Sequence, residues 1–257
     1  MKNYIKNKTA LITGATSGIG KQLAIDLSKM NLNLILIGRD IKKLQKLQSK
    51  ILKKSQKKIL IKSIDITIKE DVAKKLEKVL KEKKVDILIN SAGLALGTEK
   101  IAEGDIENWE AMIDTNIKGL LYVSKIIIPQ MKRLKTAHIV NIGSQAGKIT
   151  YPGGNVYCAT KSAVRTLSEA MNIDLLGTKI KVTNVAPGAT KTNFSNVRFK
   201  GNKEKANAVY KGYRPLSPKD VSNAVLHILN TPKNVNIQSL DITSISQRSF
   251  YLIDRNK

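Results

Sequence analysis

The chain has 257 residues, of which 42% are hydrophobic and 25% charged, and its formal net charge is +25. This length suits one α/β domain with a large core, and no apolar run approaches the ~18 residues of a transmembrane helix. The single cysteine, Cys158, excludes an internal disulfide and a multi-cysteine metal site. A single cysteine fits a reducing cytoplasm, and residues 1–6 lack the apolar core of a signal peptide, so we expect a cytoplasmic protein without a membrane partner.

The positive charge comes mostly from lysines, which are spread over helix-like segments such as 41–58 and 69–84. Nucleic-acid binders usually concentrate their charge and interleave it with aromatic residues, which make up only 4% of this chain. We interpret the lysines as a solvated surface that results from biased composition. No specific nucleic-acid partner is expected, although weak binding to polyanions at low salt would follow from the charge.

Residues 9–13 form a short apolar, β-branched run that predicts a buried strand. Three glycines with the spacing GxxxGxG follow at once, and then a helix. Glycines allow close approach of the backbone, and the helix N-terminus offers amides to a pyrophosphate, so this order is typical of a dinucleotide site. The predicted cofactor contacts in this loop are Gly14, Thr16, Ser17, Gly18, Ile19 and Gly20.

A second buried strand at 33–38 ends in Gly38, and Arg39 and Asp40 follow it. Sites that prefer NAD place a carboxylate at the end of this strand, where this chain has Gly38. The Arg39 guanidinium suits a 2′-phosphate, so NADP is favoured over NAD. Asp40 could repel that phosphate, or it could cap the helix that begins at Ile41, and we favour the cap.

Further strands are predicted at 59–64, 85–89, 137–142 and 180–185, with helices at 69–82, 109–135 and 156–176. Six strand–helix units without a break in composition predict one doubly wound parallel sheet of the Rossmann type, an α/β fold with helices on both faces. We expect a single domain over residues 1–257, with a cofactor half at about 1–150 and a catalytic half at about 137–257. Ligands bind beyond the carboxyl ends of such strands, where Gly14, Arg39, Asp65, Asn90, Ser144 and Pro187 lie.

Two of these strand ends carry further cofactor candidates. Asp65 and Ile66 close the third strand, at a position suited to an adenine amino group. Asn90 closes the fourth strand and begins a run of small residues, which fits a backbone that must pass near a ligand.

Tyr157 and Lys161 are four residues apart, so on a helix they share one face. A phenol has an unperturbed pKa of about 10, and a neighbouring ammonium would lower that pKa enough for proton exchange near neutral pH. Ser144 would hold a substrate oxygen against the phenol. Such a pair alone is more often an ordinary surface pair, so its meaning depends on the motifs around it.

With these motifs, the chain resembles the short-chain dehydrogenase/reductase family over nearly its whole length. The resemblance rests on the loop at 13–20, the segment 90–93 and the residues Asn116, Ser144, Tyr157 and Lys161. It implies that Tyr157 exchanges the proton, that Lys161 binds the nicotinamide ribose, and that Asn116 holds a water of a proton relay. It also implies that Pro187, Gly188 and Thr192 hold the nicotinamide carboxamide.

Within the family, the segments 92–97, 112–120, 153–157 and 194–201 are similar to those of NADP-dependent 3-hydroxy acid dehydrogenases. The resemblance implies small 3-hydroxy acids as substrates, such as serine, L-allo-threonine and 3-hydroxyisobutyrate, with malonic semialdehyde in the reverse direction. The family also implies a homotetramer.

A carboxylate substrate needs a cationic partner. Arg198 lies where this fold usually has a lid, and we predict that it anchors the carboxylate; the alternative is a lid arginine paired on the surface. Gln145 and Tyr151 are expected to line the pocket.

Two other functions stay open at this point. One is a sibling reductase that acts on another carbonyl, such as a 3-oxoacyl thioester or a sugar. The other is a non-enzymatic nucleotide or nucleic-acid binder. His138, in a strand, and His227, on an apolar helix face, lack neighbouring ligands, so we expect both to be structural and no metal to be bound.

Overall fold

The computed structural model describes residues 4–53 and 57–255. Its centre is a seven-stranded parallel sheet with the order β3-β2-β1-β4-β5-β6-β7. The strands are β1 (Thr9–Ile12), β2 (Asn33–Gly38), β3 (Ile59–Ser63), β4 (Ile87–Asn90), β5 (Ala137–Ile142), β6 (Ile180–Pro187) and β7 (Ser239–Ile242). The predicted single-domain Rossmann architecture is confirmed.

Helices cover both faces of the sheet, and most of them connect one strand to the next along the chain. They are α1 (Gly18–Lys29), α2 (Ile41–Leu52), α3 (Lys69–Glu82), α4 (Ile106–Ile113), α5 (Gly119–Met131), α6 (Asn155–Asp174), α7 (Phe194–Arg198), α8 (Lys203–Ala208) and α9 (Pro218–Leu229). The predicted helical segment 41–58 therefore ends at Leu52, and its residues 54–56 lie outside the described ranges, as do residues 1–3 of the N-terminal segment. No helix in the described ranges is long and apolar enough to cross a membrane.

Successive strand side chains point to opposite faces, so each strand contributes to two cores. Ile12 and Leu36 pack with α1 and α9 on one face, whereas Leu11 and Ile35 pack with α3 and α5 on the other. Burial on both faces explains why these strands read as continuous apolar runs. The strand order reverses between β1 and β4, and this switch point opens the crevice in which such folds bind ligands.

The lysine-rich helices are amphipathic. In α3, Val72, Leu76 and Val79 face the core at spacings of four and three residues, and the lysines lie on the remaining faces. This arrangement supports the interpretation of the lysines as a solvated surface.

Two predictions about the elements were wrong. The sequence predicted six strands, but β7 forms a seventh at the edge of the sheet; it has four residues, half of them exposed, and pairs only with β6. The predicted uniform helix at 109–135 begins at Ile106, ends at Met131, and contains a π-helical turn at Asp114–Lys118. The side chain of Asn116, in that turn, is buried and hydrogen-bonds to the Leu94 backbone.

Candidate active site

A cavity of about 490 Å³ lies at the carboxyl ends of the strands. It gathers most of the predicted site residues, although they come from distant parts of the sequence. Those that line it are Gly14, Thr16, Ser17, Gly18, Ile19, Arg39, Asp65, Ile66, Ser144, Tyr157, Lys161, Pro187, Gly188, Thr192 and Arg198. Three predicted residues, Gly20, Asn90 and Asn116, lie behind this wall.

The glycine loop has a conformation and a packing that side chains would prevent. Gly14 has a φ of +65°, and a Cβ there would lie 2.8 Å from the Ala92 backbone. The Thr13 hydroxyl accepts hydrogen bonds from the Ser91 and Ala92 amides, both at 3.1 Å, and holds the two loops together. A Cβ at Gly20 would lie 2.5 Å from the Gly14 carbonyl oxygen, so Gly20 serves helix packing and not direct contact.

The N-terminus of α1 points into this loop. Ser17 at its N-cap makes no side-chain capping hydrogen bond. The first amides of a helix have no intrahelical partners and carry a partial positive charge, so this end suits a phosphate group. The loop therefore fits the pyrophosphate of a dinucleotide.

The end of β2 matches a site for a 2′-phosphorylated ribose. A Cβ at Gly38 would lie 2.9 Å from Thr16 Cγ2, so glycine leaves room for that side chain, and Arg39 is exposed at the cavity rim. Asp40 accepts a hydrogen bond from the Lys43 amide at 3.0 Å and pairs with the Lys43 ammonium at 3.2 Å. The backbone hydrogen bond from Lys43 lowers the pKa of Asp40. The predicted helix cap is confirmed, and the Asp40 carboxylate is bonded to Lys43.

Two further predicted cofactor contacts, Asp65 and Asn90, differ in where they lie. Asp65 lies at the cavity, and one of its oxygens accepts hydrogen bonds from the Thr67 amide at 3.0 Å and hydroxyl at 2.8 Å. Asn90 instead donates to Asn141 Oδ1 at 2.9 Å and to Ser124 Oγ at 3.2 Å. Its buried side chain thus ties β4 to β5 and α5, and the cavity wall is formed by the residues that follow it.

Tyr157 and Lys161 lie one turn apart on α6, and both are buried, with 8% and 6% exposure. Ser144, just after β5, hydrogen-bonds to the Tyr157 phenol. Burial raises the pKa of Tyr157 well above its ordinary value and nearby Tyr151 adds to the rise, whereas the Ser144 hydrogen bond opposes it. The phenol therefore holds its proton and faces the cavity beside a hydroxyl that can share a substrate oxygen.

The Lys161 ammonium does not lower the pKa of Tyr157 as the sequence predicted. Its Nζ donates to the Ile142 carbonyl oxygen at 2.9 Å, and burial lowers the pKa of Lys161 to about 8. The nearby positive charge that favours the phenolate form is instead Arg198, whose guanidinium lies 5.7 Å from the centre of the Tyr157 ring.

Asn116 lies in the π-helical turn, and both polar atoms of its side chain are hydrogen-bonded. Its Oδ1 accepts from the Leu94 amide at 2.9 Å, and its Nδ2 donates to the Leu94 carbonyl at 2.9 Å and to Thr160 Oγ1 at 3.0 Å. A Cβ at Gly93 would lie 3.2 Å from Asn116 Oδ1 and 3.3 Å from Lys161 Nζ, so both polar atoms face the same glycine. Such π turns occur often at functional sites.

Arg198 lines the cavity at the Tyr157 end. Its guanidinium donates to the Tyr151 hydroxyl at 2.6 Å and to the carbonyl oxygens of Gly97 at 3.1 Å and Gly153 at 3.2 Å. Among the residues that the structure describes, no carboxylate forms a salt bridge with it. The alternative of a surface-paired arginine is therefore not what the structure shows.

Sequence reasoning missed the C-terminal contribution to the wall, from Gln247, Ser249 and Phe250. Phe250 stacks on Tyr151 with ring centres 4.0 Å apart. Gln145 and Tyr151 line the cavity as predicted. The only signal in the sequence for this C-terminal contribution was the pair of adjacent aromatic residues at 250 and 251, in a chain with few aromatics.

Both histidines lie away from this site. His138 is buried, shares a 2.8 Å hydrogen bond with Thr183 Oγ1, and has its pKa lowered to about 3, mainly by burial. His227 is exposed, and its predicted apolar environment was wrong because α9 turns Val225 and Ile228 to the core and leaves His227 outside. The described residues contain no cluster that could hold a metal ion.

A glycine loop at a helix N-terminus, two cations and a protonated phenol beside a lysine define the class of protein: a dinucleotide-dependent oxidoreductase with a Rossmann-type fold. The sequence model of the short chain dehydrogenase family matches residues 8–203. The chain belongs to this family.

Relatives with similar sequences extend over nearly the whole chain. The NADP-dependent 3-hydroxy acid dehydrogenase YdfG of Escherichia coli (strain K12) is 40% identical over 239 residues, which cover 92% of this chain and 95% of that protein. The NADP-dependent 3-hydroxy acid dehydrogenase of Schizosaccharomyces pombe (strain 972) is 37% identical over 233 residues, or 90% of each chain. The closed form of a serine dehydrogenase complexed with NADP+ is 39% identical, with a TM-score of 0.87, and the match covers 93% and 96% of the two chains.

Proposed function

We propose that this chain is an NADP-dependent oxidoreductase that transfers a hydride between nicotinamide and carbon 3 of small 3-hydroxy acids. The observation that carries the proposal is the placement of two cations in one cavity, Arg39 at the glycine-loop end and Arg198 at the Tyr157 end. The names of the similar proteins, a 3-hydroxy acid dehydrogenase and a serine dehydrogenase, support 3-hydroxy acids and serine as substrates. The other substrates that we propose are L-allo-threonine, 3-hydroxyisobutyrate and, in the reverse direction, malonic semialdehyde.

NADP, when bound, supplies the nicotinamide carbon that accepts or donates the hydride. The α1 N-terminus binds its pyrophosphate, and Arg39 binds its 2′-phosphate. Asp65 and Ile66 hold the adenine, and Lys161 holds the nicotinamide ribose. The carboxamide is held by Pro187, Gly188 and Thr192.

The chain's own residues handle the proton and the substrate. Tyr157 gives its proton to the carbonyl oxygen during reduction. During oxidation the phenol first loses its own proton toward solvent, and the phenolate then takes the hydroxyl proton. Ser144 hydrogen-bonds to the same oxygen and keeps it against the phenol. Asn116 holds a water near Lys161 through which the proton reaches solvent. Arg198 binds the substrate carboxylate and so places carbon 3 beside Tyr157.

The competing function is a sibling reductase that acts on a 3-oxoacyl thioester. A thioester has no carboxylate to pair with Arg198, which favours the free acid. A panel of L-serine, L-allo-threonine, 3-hydroxyisobutyrate, malonic semialdehyde and a 3-oxoacyl thioester, each with NADP(H) and NAD(H), separates the two. Turnover confined to the free acids with NADP(H) supports the proposal, and a preference for the thioester contradicts it.

We propose a cytoplasmic homotetramer in which α5 and α6 pair between subunits. The exposed apolar residues Leu121 on α5 and Leu176 just after α6 support this arrangement. Light scattering that gives the mass of one chain would contradict it.

Removing the Arg39 charge should change cofactor preference. For Arg39→Ala we expect kcat/KM with NADP to fall by about 10- to 100-fold, because a charge-assisted contact to the phosphate is lost, while kcat/KM with NAD is unchanged. Steady-state kinetics with both cofactors measure the effect. Lys42→Ala removes an equal charge from an exposed residue at the start of α2 that does not line the cavity, and it should leave the NADP-to-NAD ratio as in the wild type.

Removing the Arg198 charge should weaken the binding of only those substrates that carry a carboxylate. For Arg198→Gln we expect the KM for serine to rise by about 100-fold, with a smaller effect on kcat, since a buried charge pair with the carboxylate is lost. The matched control is Arg165→Gln, because Arg165 pairs with Glu169 on the surface of α6. An unchanged KM for serine would show that the carboxylate binds elsewhere.

A further inference from the structure

The C-terminal segment 246–254 forms a hairpin beside the substrate end of the cavity. Gln247 and Ile253 form an antiparallel bridge at its base, and Phe250 lies at its tip. Gln247 and Phe250 both line the cavity, so the hairpin is part of its wall.

The base of the hairpin is fixed to the segment that follows β6. The buried Gln247 side chain accepts a hydrogen bond from the Ala189 amide at 2.9 Å. A Cβ at Gly188 would lie 2.5 Å from the same Gln247 oxygen, so the contact is close. The position of the hairpin is thereby fixed relative to Gly188 and Ala189.

The tip contacts the arginine through a tyrosine. The rings of Phe250 and Tyr151 stack at 4.0 Å with 13° between their planes, and the Tyr151 hydroxyl accepts from Arg198 at 2.6 Å. The Phe250 ring is also nearly perpendicular to the Tyr251 ring, with centres 5.6 Å apart, and the Tyr251 hydroxyl donates to the Thr150 carbonyl at 3.3 Å. Phe250 thus braces the ring that orients Arg198.

We propose that Phe250 determines the choice between free acids and their esters. Its ring stacks on Tyr151, whose hydroxyl accepts from Arg198, and so keeps the guanidinium placed for a carboxylate, a charge pair that a neutral ester group cannot form. Phe250 is a positioning residue, because it acts through Tyr151 and Arg198. This inference rests on the proposed function, in which Arg198 binds the carboxylate.

The test compares 3-hydroxypropionate with its ethyl ester, using NADP. For Phe250→Ala we expect kcat/KM for the acid to fall about 10-fold, mainly through KM, as an aromatic stack is lost and Arg198 loses its brace. The ester forms no charge pair with Arg198, so its kcat/KM should stay as in the wild type, and the acid-to-ester ratio falls. A general loss of folding would lower kcat/KM for both substrates alike and leave the acid-to-ester ratio unchanged.

Matched variants and outcomes separate this inference from the proposed function. Phe250→Tyr keeps the stacked ring and should keep the wild-type ratio, and Leu252→Ala alters an exposed residue of the same hairpin and should change nothing. If Phe250→Ala does not fold, Phe250→Leu replaces it, with the same expected direction. A wild-type ratio in the folded variant overturns the inference alone, whereas a wild-type enzyme inactive on every free acid overturns the proposed function.

Discussion

Tyr157→Phe should lower kcat for serine oxidation by about 10³- to 10⁴-fold, because the variant lacks the group that exchanges the substrate proton. The dissociation constant for NADPH should stay nearly as in the wild type. The ring keeps its contact with Phe194, whose centre lies 5.5 Å away, so the fold around the site is preserved. Stopped-flow or steady-state absorbance measures turnover, and fluorescence titration measures NADPH binding.

Tyr122→Phe is the control for this loss of a hydroxyl. Tyr122 packs against the core beneath α5, outside the cavity, so its variant should have wild-type kinetics. Retained turnover in Tyr157→Phe would exclude Tyr157 as the proton donor and acceptor.

Lys161→Met should lower kcat/KM by about 10²-fold or more and yet make the folded chain more stable at neutral pH. In the wild type the buried Lys161 ammonium has one hydrogen-bond partner among the residues that the structure describes, the Ile142 carbonyl oxygen, and this burial destabilises the fold. A methionine fills similar space without that cost. Urea unfolding gives the free energy of unfolding of both proteins.

The pH dependence of the free energy of unfolding tests whether burial of the Lys161 ammonium destabilises the wild type. Burial lowers the pKa of Lys161 from 10.5 to about 8 in the folded chain, so between these values the unfolded chain binds more protons than the folded one. The stability of the wild type relative to Lys161→Met should therefore rise with pH across this window, by on the order of 2 kcal/mol between about pH 6.5 and about pH 9.5. A difference that is constant with pH would mean that Lys161 is not desolvated.

Local patterns made most of the fold and much of the site predictable. The glycine loop and the Tyr157–Lys161 pair are short motifs with fixed spacing, and the helix cap at Asp40 depends only on residues that follow it. The sheet was predictable because each strand is a continuous apolar run followed by a turn or a helix. The predicted sheet and family are both confirmed. The roles of the site residues stay predictions.

The errors arose where packing between distant residues decides the outcome. The sequence gives no sign that Lys161 turns to the Ile142 carbonyl, so the predicted lowering of the Tyr157 pKa was wrong. The edge strand β7 is too short and too exposed for a clear pattern. The contact of Phe250 with Tyr151 joins segments far apart in the chain, and no local motif indicates it.

The most direct measurement uses L-serine in which both hydrogens on carbon 3 are replaced by deuterium, with NADP as the acceptor. Mass spectrometry of the reduced cofactor should find one deuterium in each molecule formed by the wild type, and Tyr157→Phe should form the same product far more slowly. Reduced cofactor without deuterium, or no reduction of NADP by serine or any other 3-hydroxy acid, would contradict hydride transfer from carbon 3 at this site.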